Sequence, residues 1–200
     1  MNEMAKMIIV LTAICLASAF ALTALNNGLE ARIAQQEEFY VRGPAVHDIF
    51  PDAPNDPVAD AFSVEVDGQS WRLYPWIENG ECRAVALQAA GAGGYGGDVM
   101  VMTGIDFSAG RILGARVAQH GETPGIGTRV ADPLYMRIYQ GVPVRAGTVI
   151  ALKSAGGEIE GVSGATRTSA AVANGVDRAV QFVLAHKDEI PGWVREQTGR

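Results

Sequence analysis

The chain has 200 residues, with 16 Lys and Arg against 22 Asp and Glu and a formal net charge of −6. Nucleic-acid binding requires a basic surface, so this acidic balance excludes that class of partner. The length allows one medium-sized domain with a hydrophobic core.

The N-terminal region contains an apolar stretch, Met7 to Leu25, without a charged residue. As a helix, about 19 residues at 1.5 Å each span roughly 29 Å, close to the hydrocarbon thickness of a bilayer. Ala17-Ser18-Ala19 is compatible with a cleaved signal peptide, but the apolar run continues to Leu25, which favours an uncleaved anchor. We therefore predict a short tip and transmembrane anchor over residues 1–28. Charge counting does not decide the orientation.

A connecting region is predicted over residues 29–60. Glu30 to Tyr40 is polar and compatible with a continuing helix. Val41 to Asp60 is rich in Pro and Asp, which predicts an extended linker without regular structure.

A domain of short strands is predicted over residues 61–190, followed by a C-terminal tail at 191–200. Turn signals at Asp67-Gly68, Asn79-Gly80 and Ser108-Ala109-Gly110 separate alternating segments. The strands expected are Phe62–Val66, Gln69–Trp76, Cys82–Leu87, Val99–Phe107 and Arg111–Gln119. A short helix near 133–140, capped by Asp132, and a longer helix after residue 168 complete an α+β fold of antiparallel strands with flanking helices.

The longer helix follows a segment rich in hydroxyl groups, Glu160 to Ser169. Its apolar positions repeat at helical spacing: Val172, Val176, Ala179, Val180, Val183 and Leu184. Thr168 or Ser169 is expected to cap it. A helix start favours a phosphate, because its N–H groups are free and its dipole is positive. From spacing alone, an ordinary capped helix is the favoured interpretation.

Two glycine-containing loops precede this segment. Gly91 to Gly96 satisfies G-x-G-x-x-G, but a dinucleotide site requires a helix to follow, and the next residues are typical of a strand. The second loop, His120 to Gly127, contains a Thr-Pro-Gly turn that exposes backbone N–H groups, the Thr123 hydroxyl and the apolar side chain of Ile126.

The sequence gives little indication of disulfide bonds, metal sites or catalytic residues. Cys15 and Cys82 are too far apart in the predicted organisation to form a disulfide. No Cys/His cluster suggests a metal site. There is no second nucleotide motif and no nucleophile–base pair, which favours a carrier subunit over a self-sufficient enzyme.

Ser163-Gly164-Ala165-Thr166, followed by Thr168-Ser169, resembles the flavinylation motif of the FMN-binding-domain family. Glu122-Thr123-Pro124-Gly125-Ile126-Gly127 resembles the Glu-Thr-Pro-Gly-Leu-Gly signature of that family, and the step containing Tyr95 and Gly96 resembles its glycine loop. The resemblance implies that these three segments, with Arg167, form the cofactor site. It also implies a phosphoester bond from Thr166 to FMN, made by a flavin transferase that uses FAD. Glu160 stands where the family motif usually has Asp.

The family includes membrane-bound subunits of electron-transport complexes. The G subunit of the Rnf complex resembles this chain best in its single anchor and compact length. That resemblance implies an FMN domain outside the cytoplasm of a bacterial inner membrane, which relays electrons among other membrane subunits of an ion-translocating ferredoxin:NAD oxidoreductase. The alternatives are the C subunit of the sodium-pumping NADH:quinone reductase, a free-standing FMN carrier, and an anchored module that binds a phosphate noncovalently.

Overall fold

The computed structural model describes residues 3–199. They divide into two compact units, one ending at Tyr40 and the other beginning at Val41.

The first unit is a single long helix, α1, over Glu3–Glu37. Its segment Glu3–Glu30 is long and apolar enough to cross a membrane, with a mean hydropathy of 2.5. A five-residue π-helical segment, Glu38–Arg42, follows directly. The prediction that the helix continues beyond the apolar stretch towards Tyr40 is therefore confirmed.

The prediction of an extended linker without regular structure over residues 41–60 is wrong for residues 41–49, which are helical, whereas residues 50–60 contain no helix or strand. Helix α2 occupies Gly43–Ile49, with Pro44 in its first turn, where the missing N–H of proline costs no hydrogen bond. Val46, Ile49 and Phe50 are buried. The proline and aspartate residues of this segment lie at its helix start and its turns. Its few buried apolar residues pack the segment against the sheet.

The second unit is built on a five-stranded antiparallel sheet in the order β1-β2-β3-β4-β5. Its strands are β1 Phe62–Val66, β2 Gln69–Glu78, β3 Glu81–Gly91, β4 Val99–Asp106 and β5 Arg111–Gln119. All five predicted strands are present, with β2 and β3 longer than predicted. Asp67-Gly68 and Asn79-Gly80 have positive φ at both positions, as a two-residue hairpin of type I′ requires.

One face of the sheet packs against helix α4, Thr166–Ala185. The predicted apolar stripe is buried there except for Leu184, which is partly buried. The helix approaches the end of β3 closely. A Cβ added at Gly91 would overlap the carbonyl of Ala171, and one added at Gly175 would lie 2.9 Å from Val101 Cγ2. The two glycines therefore allow the helix to approach the sheet at backbone distance.

The opposite face of the sheet is covered by α2. Ile49 and Phe50 fill the space above Gly104, where an added Cβ would lie 2.8 Å from Phe50 Cε1. At the end of β4, the buried Asp106 carboxylate accepts hydrogen bonds from Ala109 N–H at 2.8 Å and from the Ser108 hydroxyl at 2.7 Å. Burial acts to raise the pKa of Asp106, but these bonds and an ion pair with Arg83 outweigh it, and the pKa lies below its usual value.

Short elements connect β5 to α4 and complete the unit. They are a 3₁₀ segment Gly127–Ala131, helix α3 Pro133–Met136, a 3₁₀ turn Arg137–Tyr139 and a 3₁₀ turn Lys153–Ala155. Asp132 accepts a hydrogen bond from Leu134 N–H at 2.8 Å, so the predicted cap is confirmed. Residues 191–200, predicted as a tail, instead contribute to helix α5, Ile190–Thr198, with Val194 buried. The predicted α+β class is confirmed.

Candidate functional site

The site is organised by the first turn of α4. The helix begins at Thr166, and its N-cap, Ala165, makes no side-chain hydrogen bond. The prediction of Thr168 or Ser169 as the cap is therefore wrong. Gly164, with a φ of 79°, turns the chain into the helix earlier, and Ala165 N–H donates to Val162 O at 2.9 Å.

The structure separates the hydroxyl groups of this segment into two classes. Thr168 and Ser169 are buried and already bonded: Thr168 Oγ1 donates to Glu122 Oε2 at 2.7 Å, and Ser169 Oγ accepts from Val162 N–H at 2.9 Å. Ser163 and Thr166 are exposed. A ligand or a modifying enzyme could therefore reach only the hydroxyl groups of Ser163 and Thr166.

The helix start offers unused hydrogen-bond donors. Within residues 3–199, the N–H groups of Thr166, Arg167 and Thr168 have no acceptor. Two guanidinium groups lie at the loops around this turn, since Arg167 Nε donates to Gly93 O at 2.8 Å and Arg129 donates to Ser163 O at 3.3 Å. Free N–H groups at the positive end of a helix, with nearby cations, form a donor set suited to phosphate.

Glu122 joins the predicted segments to one another. Its side chain is only 6% exposed. One carboxylate oxygen, Oε1, accepts from Gly96 N–H at 3.0 Å, and the other accepts from the Thr168 hydroxyl. Burial acts to raise the pKa of Glu122, but these bonds, a bond from Tyr95 N–H and the charge of His120 outweigh it. The pKa therefore lies below its usual value, and the group is ionised at neutral pH.

Glycines around Glu122 have no space for side chains. A Cβ at Gly94 would lie 2.6 Å from Glu122 Oε1, and one at Gly127 would lie 2.5 Å from Glu122 Oε2. A Cβ at Gly96 would overlap the carbonyl of Gly121. The glycine loop is therefore required for close packing against the Glu122 turn. It leads into β4, as predicted, and not into the helix of a dinucleotide site.

The remaining predicted residues lie on the surface of these loops. Thr123, Pro124, Gly125 and Ile126 form an exposed turn, in which Gly127 N–H donates to Thr123 O at 3.1 Å and Gly125 has a φ of 76°. Ile126 is 57% exposed, and Tyr95 is 77% exposed. Both present apolar surface on loops that meet at Glu122.

Some residues at this site were missed by the sequence analysis. Arg129 contacts the Ser163 carbonyl from a 3₁₀ segment, Tyr135 Oη donates to Glu160 O at 3.0 Å, and Lys153 forms an ion pair with the Glu160 side chain. No motif marks these positions, because the contacts depend on how the connection between β5 and α4 folds back.

Metal and disulfide chemistry have little support in the described part of the chain. Among residues 3–199, no group of three or more His, Cys, Asp or Glu side chains could hold a metal ion. Cys15 and Cys82 are free thiols, and burial raises the pKa of the Cys82 thiol to about 12.

Comparison with known proteins assigns the chain to a family. Residues 94–181, which include all three segments, match the family model described as FMN-binding domain. The chain is 35% identical over 178 residues to the G subunit of the ion-translocating oxidoreductase complex of Stutzerimonas stutzeri, covering 84% of this chain and 76% of that protein. It is 32% identical to the protein of the same name from Photorhabdus laumondii, covering 86% of each. The solved structure of Shewanella oneidensis NqrC overlaps 64% of this chain and 65% of that chain, with 22% identity and a TM-score of 0.47. With its FMN-binding domain and these relatives, the chain belongs to the family of G subunits of ion-translocating oxidoreductase complexes.

Proposed function

We propose that this chain is the membrane-anchored electron-transfer subunit of an Rnf-type ion-translocating oxidoreductase complex, and that it carries FMN on Thr166 through a phosphoester bond. The relatives, which are G subunits by name, support membership of such a complex, and the matched FMN-binding domain supports the cofactor. When bound, FMN accepts two electrons from one donor and passes them on singly.

The observation that carries the attachment site is the exposure of Thr166 at the first position of α4. Thr168 and Ser169 are buried and bonded, so their hydroxyls are not accessible in the folded chain. A phosphoryl group on Thr166 would begin at the helix N-terminus, where free N–H groups and the helix dipole stabilise its negative charge.

Neighbouring side chains have complementary roles in this proposal. Arg167 and Arg129, tied to Gly93 and Ser163, supply positive charge near the phosphate. Ile126 and Tyr95, both exposed, supply apolar surface for the flavin ring.

A separate flavin transferase, with FAD as the donor, is the proposed means of attachment. An unassisted threonine hydroxyl is a weak nucleophile. Within residues 3–199, the Thr166 hydroxyl has no hydrogen bond to a carboxylate or an imidazole, and the nearby Glu122 carboxylate is instead bonded to Thr168. The chain is therefore proposed to be the substrate of attachment and not its catalyst.

The proposed cellular setting combines the apolar helix with the location that the family resemblance implies. We assign α1 as a single span of the bacterial inner membrane, with the FMN domain on the periplasmic side and the other membrane subunits of the complex as partners. The name of the relatives favours this complex over the sodium-pumping NADH:quinone reductase. Co-purification of other membrane subunits would distinguish it from a free-standing carrier.

The test is coexpression of the full chain with a flavin transferase, followed by flavin fluorescence in a denaturing gel and intact-mass analysis. The wild-type band should fluoresce and carry the mass of one FMN, and Thr166→Ala should do neither. Ser163→Ala is the matched control, because it removes the other exposed hydroxyl and should retain the flavin. Fluorescence of the Thr166→Ala band would refute the site. Flavin that is present in the native protein and absent from the wild-type band would instead support noncovalent binding.

A further inference from the structure

We propose that Glu122 is a positioning residue of the flavin site. It does not touch FMN, but ties the Tyr95 loop and the Thr123–Gly127 turn to the first turn of α4, and thereby fixes the orientation of the flavin attached at Thr166. The orienting role rests on the proposed function, because it requires FMN at Thr166.

The carboxylate of Glu122 is directed inward, and both of its oxygens accept hydrogen bonds from the protein. Oε1 accepts from the Gly96 and Tyr95 loop, and Oε2 accepts from the Thr168 hydroxyl. With 6% of the residue exposed, little of it is available to a ligand. Glu122 therefore acts through the groups it holds and not by contact with the cofactor.

Each group that Glu122 holds is adjacent to a residue facing the proposed cofactor. Thr168 lies two positions after Thr166 in the same helical turn. Tyr95 immediately precedes Gly96, whose N–H donates to the carboxylate, and its ring is exposed to solvent. Ile126 belongs to the turn that Glu122 begins. One buried side chain therefore sets the relative positions of the attachment point and the two exposed apolar side chains.

Few other contacts could replace this tie. The glycines packed around the carboxylate, including Gly94 and Gly127, have no side chains to interdigitate. Within residues 3–199, the other side-chain bonds between the glycine loop and α4 are Arg167 Nε to Gly93 O and Ala92 N–H to Asn174 Oδ1, and both are exposed to water. Hydrogen bonds that a buried carboxylate accepts are stronger than such exposed bonds.

Substitution of Glu122 by glutamine tests the hydrogen bonds of the carboxylate while nearly preserving the shape of the side chain. Glutamine retains the length of glutamate, but one oxygen is replaced by an NH₂ group that cannot accept a hydrogen bond. Either the loop N–H group loses its acceptor, or the Thr168 hydroxyl reverses its role and accepts from the new NH₂ group; in both cases the negative charge that strengthens the two bonds is lost. Glu65→Gln is the matched control, because it makes the same change of charge on an exposed residue of β1.

The first experiment uses the unmodified full chain in detergent and measures amide hydrogen exchange. Glu122→Gln should speed exchange at Gly96 and the neighbouring loop amides by about tenfold or more, since bonds to charged groups protect amides strongly. Glu65→Gln should leave these amides unchanged. Unchanged exchange in Glu122→Gln would overturn the proposal. If that variant fails to fold, Thr168→Val, which removes a single hydroxyl, is measured instead, with the same two outcomes for the Ser169 amide, whose N–H donates to Ala165 O at the start of α4.

The second experiment uses protein flavinylated by the transferase and measures visible circular dichroism and fluorescence anisotropy of the flavin. Glu122→Gln should still carry the flavin, with altered dichroism and lower anisotropy, whereas Glu65→Gln should match wild type. A wild-type flavin signature in a variant with loosened loops would overturn the orienting role. Absence of flavin from the wild-type chain would refute the proposed function, and hydrogen exchange in the unmodified chain would still decide whether Glu122 ties the loops.

Discussion

Substitution of Gly91 by alanine tests the close packing of α4 on the sheet. A Cβ at this position would lie 2.7 Å from the carbonyl carbon of Ala171 and 2.9 Å from Gly175 N, and would overlap the Ala171 oxygen. All of these atoms are backbone, so no side-chain rotation relieves the contact. Either the helix must move away from β3 or the end of the strand must bend.

The expected cost lies at the upper end of the range for overpacking, about 3 kcal/mol, because two backbones are forced apart. The helix is also tied to this strand end by a hydrogen bond from Arg178 to Ala90 O at 2.8 Å, which a displacement would strain. For a domain of this size, that loss lowers the melting temperature by about 6–12 °C.

The assay is thermal and urea unfolding of the full chain in detergent, followed by tryptophan fluorescence. The chain has 3 Trp, and Trp71, Trp76 and Trp193 all lie in the second compact unit, so the signal reports on that unit. Gly192→Ala is the control, since nothing lies within 4 Å of an added Cβ there and alanine favours helix. A Gly91→Ala protein within about 0.5 kcal/mol of wild type would refute the packing argument.

Two further predictions concern buried polar groups. Thr103 is fully buried, and its hydroxyl has no partner within residues 3–199, so Thr103→Val should leave the free energy of unfolding unchanged or raise it by about 1 kcal/mol; a loss of that size in urea unfolding would contradict this. The lowered pKa of Asp106 means that its ionised form contributes stability above the usual aspartate range, which is lost as the pH falls through the folded pKa. Asp106→Asn should therefore flatten the acid side of a plot of urea midpoint against pH, and an unchanged slope would contradict the assigned role.

The sequence analysis predicted most of the sheet correctly because its signals are local. Alternating residues and Asp-Gly and Asn-Gly turns determine strand and hairpin positions without reference to distant parts of the chain. The prediction for residues 41–49 was wrong for the same reason. The prolines of residues 41–60 indicate irregular structure locally, whereas the burial of Ile49 and Phe50 depends on the space above Gly104, on a strand about fifty residues away.

The segments proposed for the cofactor site also combine features that local sequence determines with features that depend on distant contacts. The sequence alone determined which short segments matter, since the hydroxyl-rich stretch and the Thr-Pro-Gly turn are recognisable as they stand. The motif resemblance singled out Thr166 for the phosphoester, but the spacing of the residues did not show which hydroxyl groups are buried, and it placed the helix cap too late.

Only the tertiary structure decided which hydroxyl groups of that motif are buried. Thr168 is buried and donates a hydrogen bond to the Glu122 carboxylate, 46 positions earlier in the chain, while Thr166 remains in solvent. A carboxylate withdrawn from water requires hydrogen-bond donors or positive charges to remain ionised. Which segments supply those donors depends on the packing of the folded chain, and residue spacing does not contain that information.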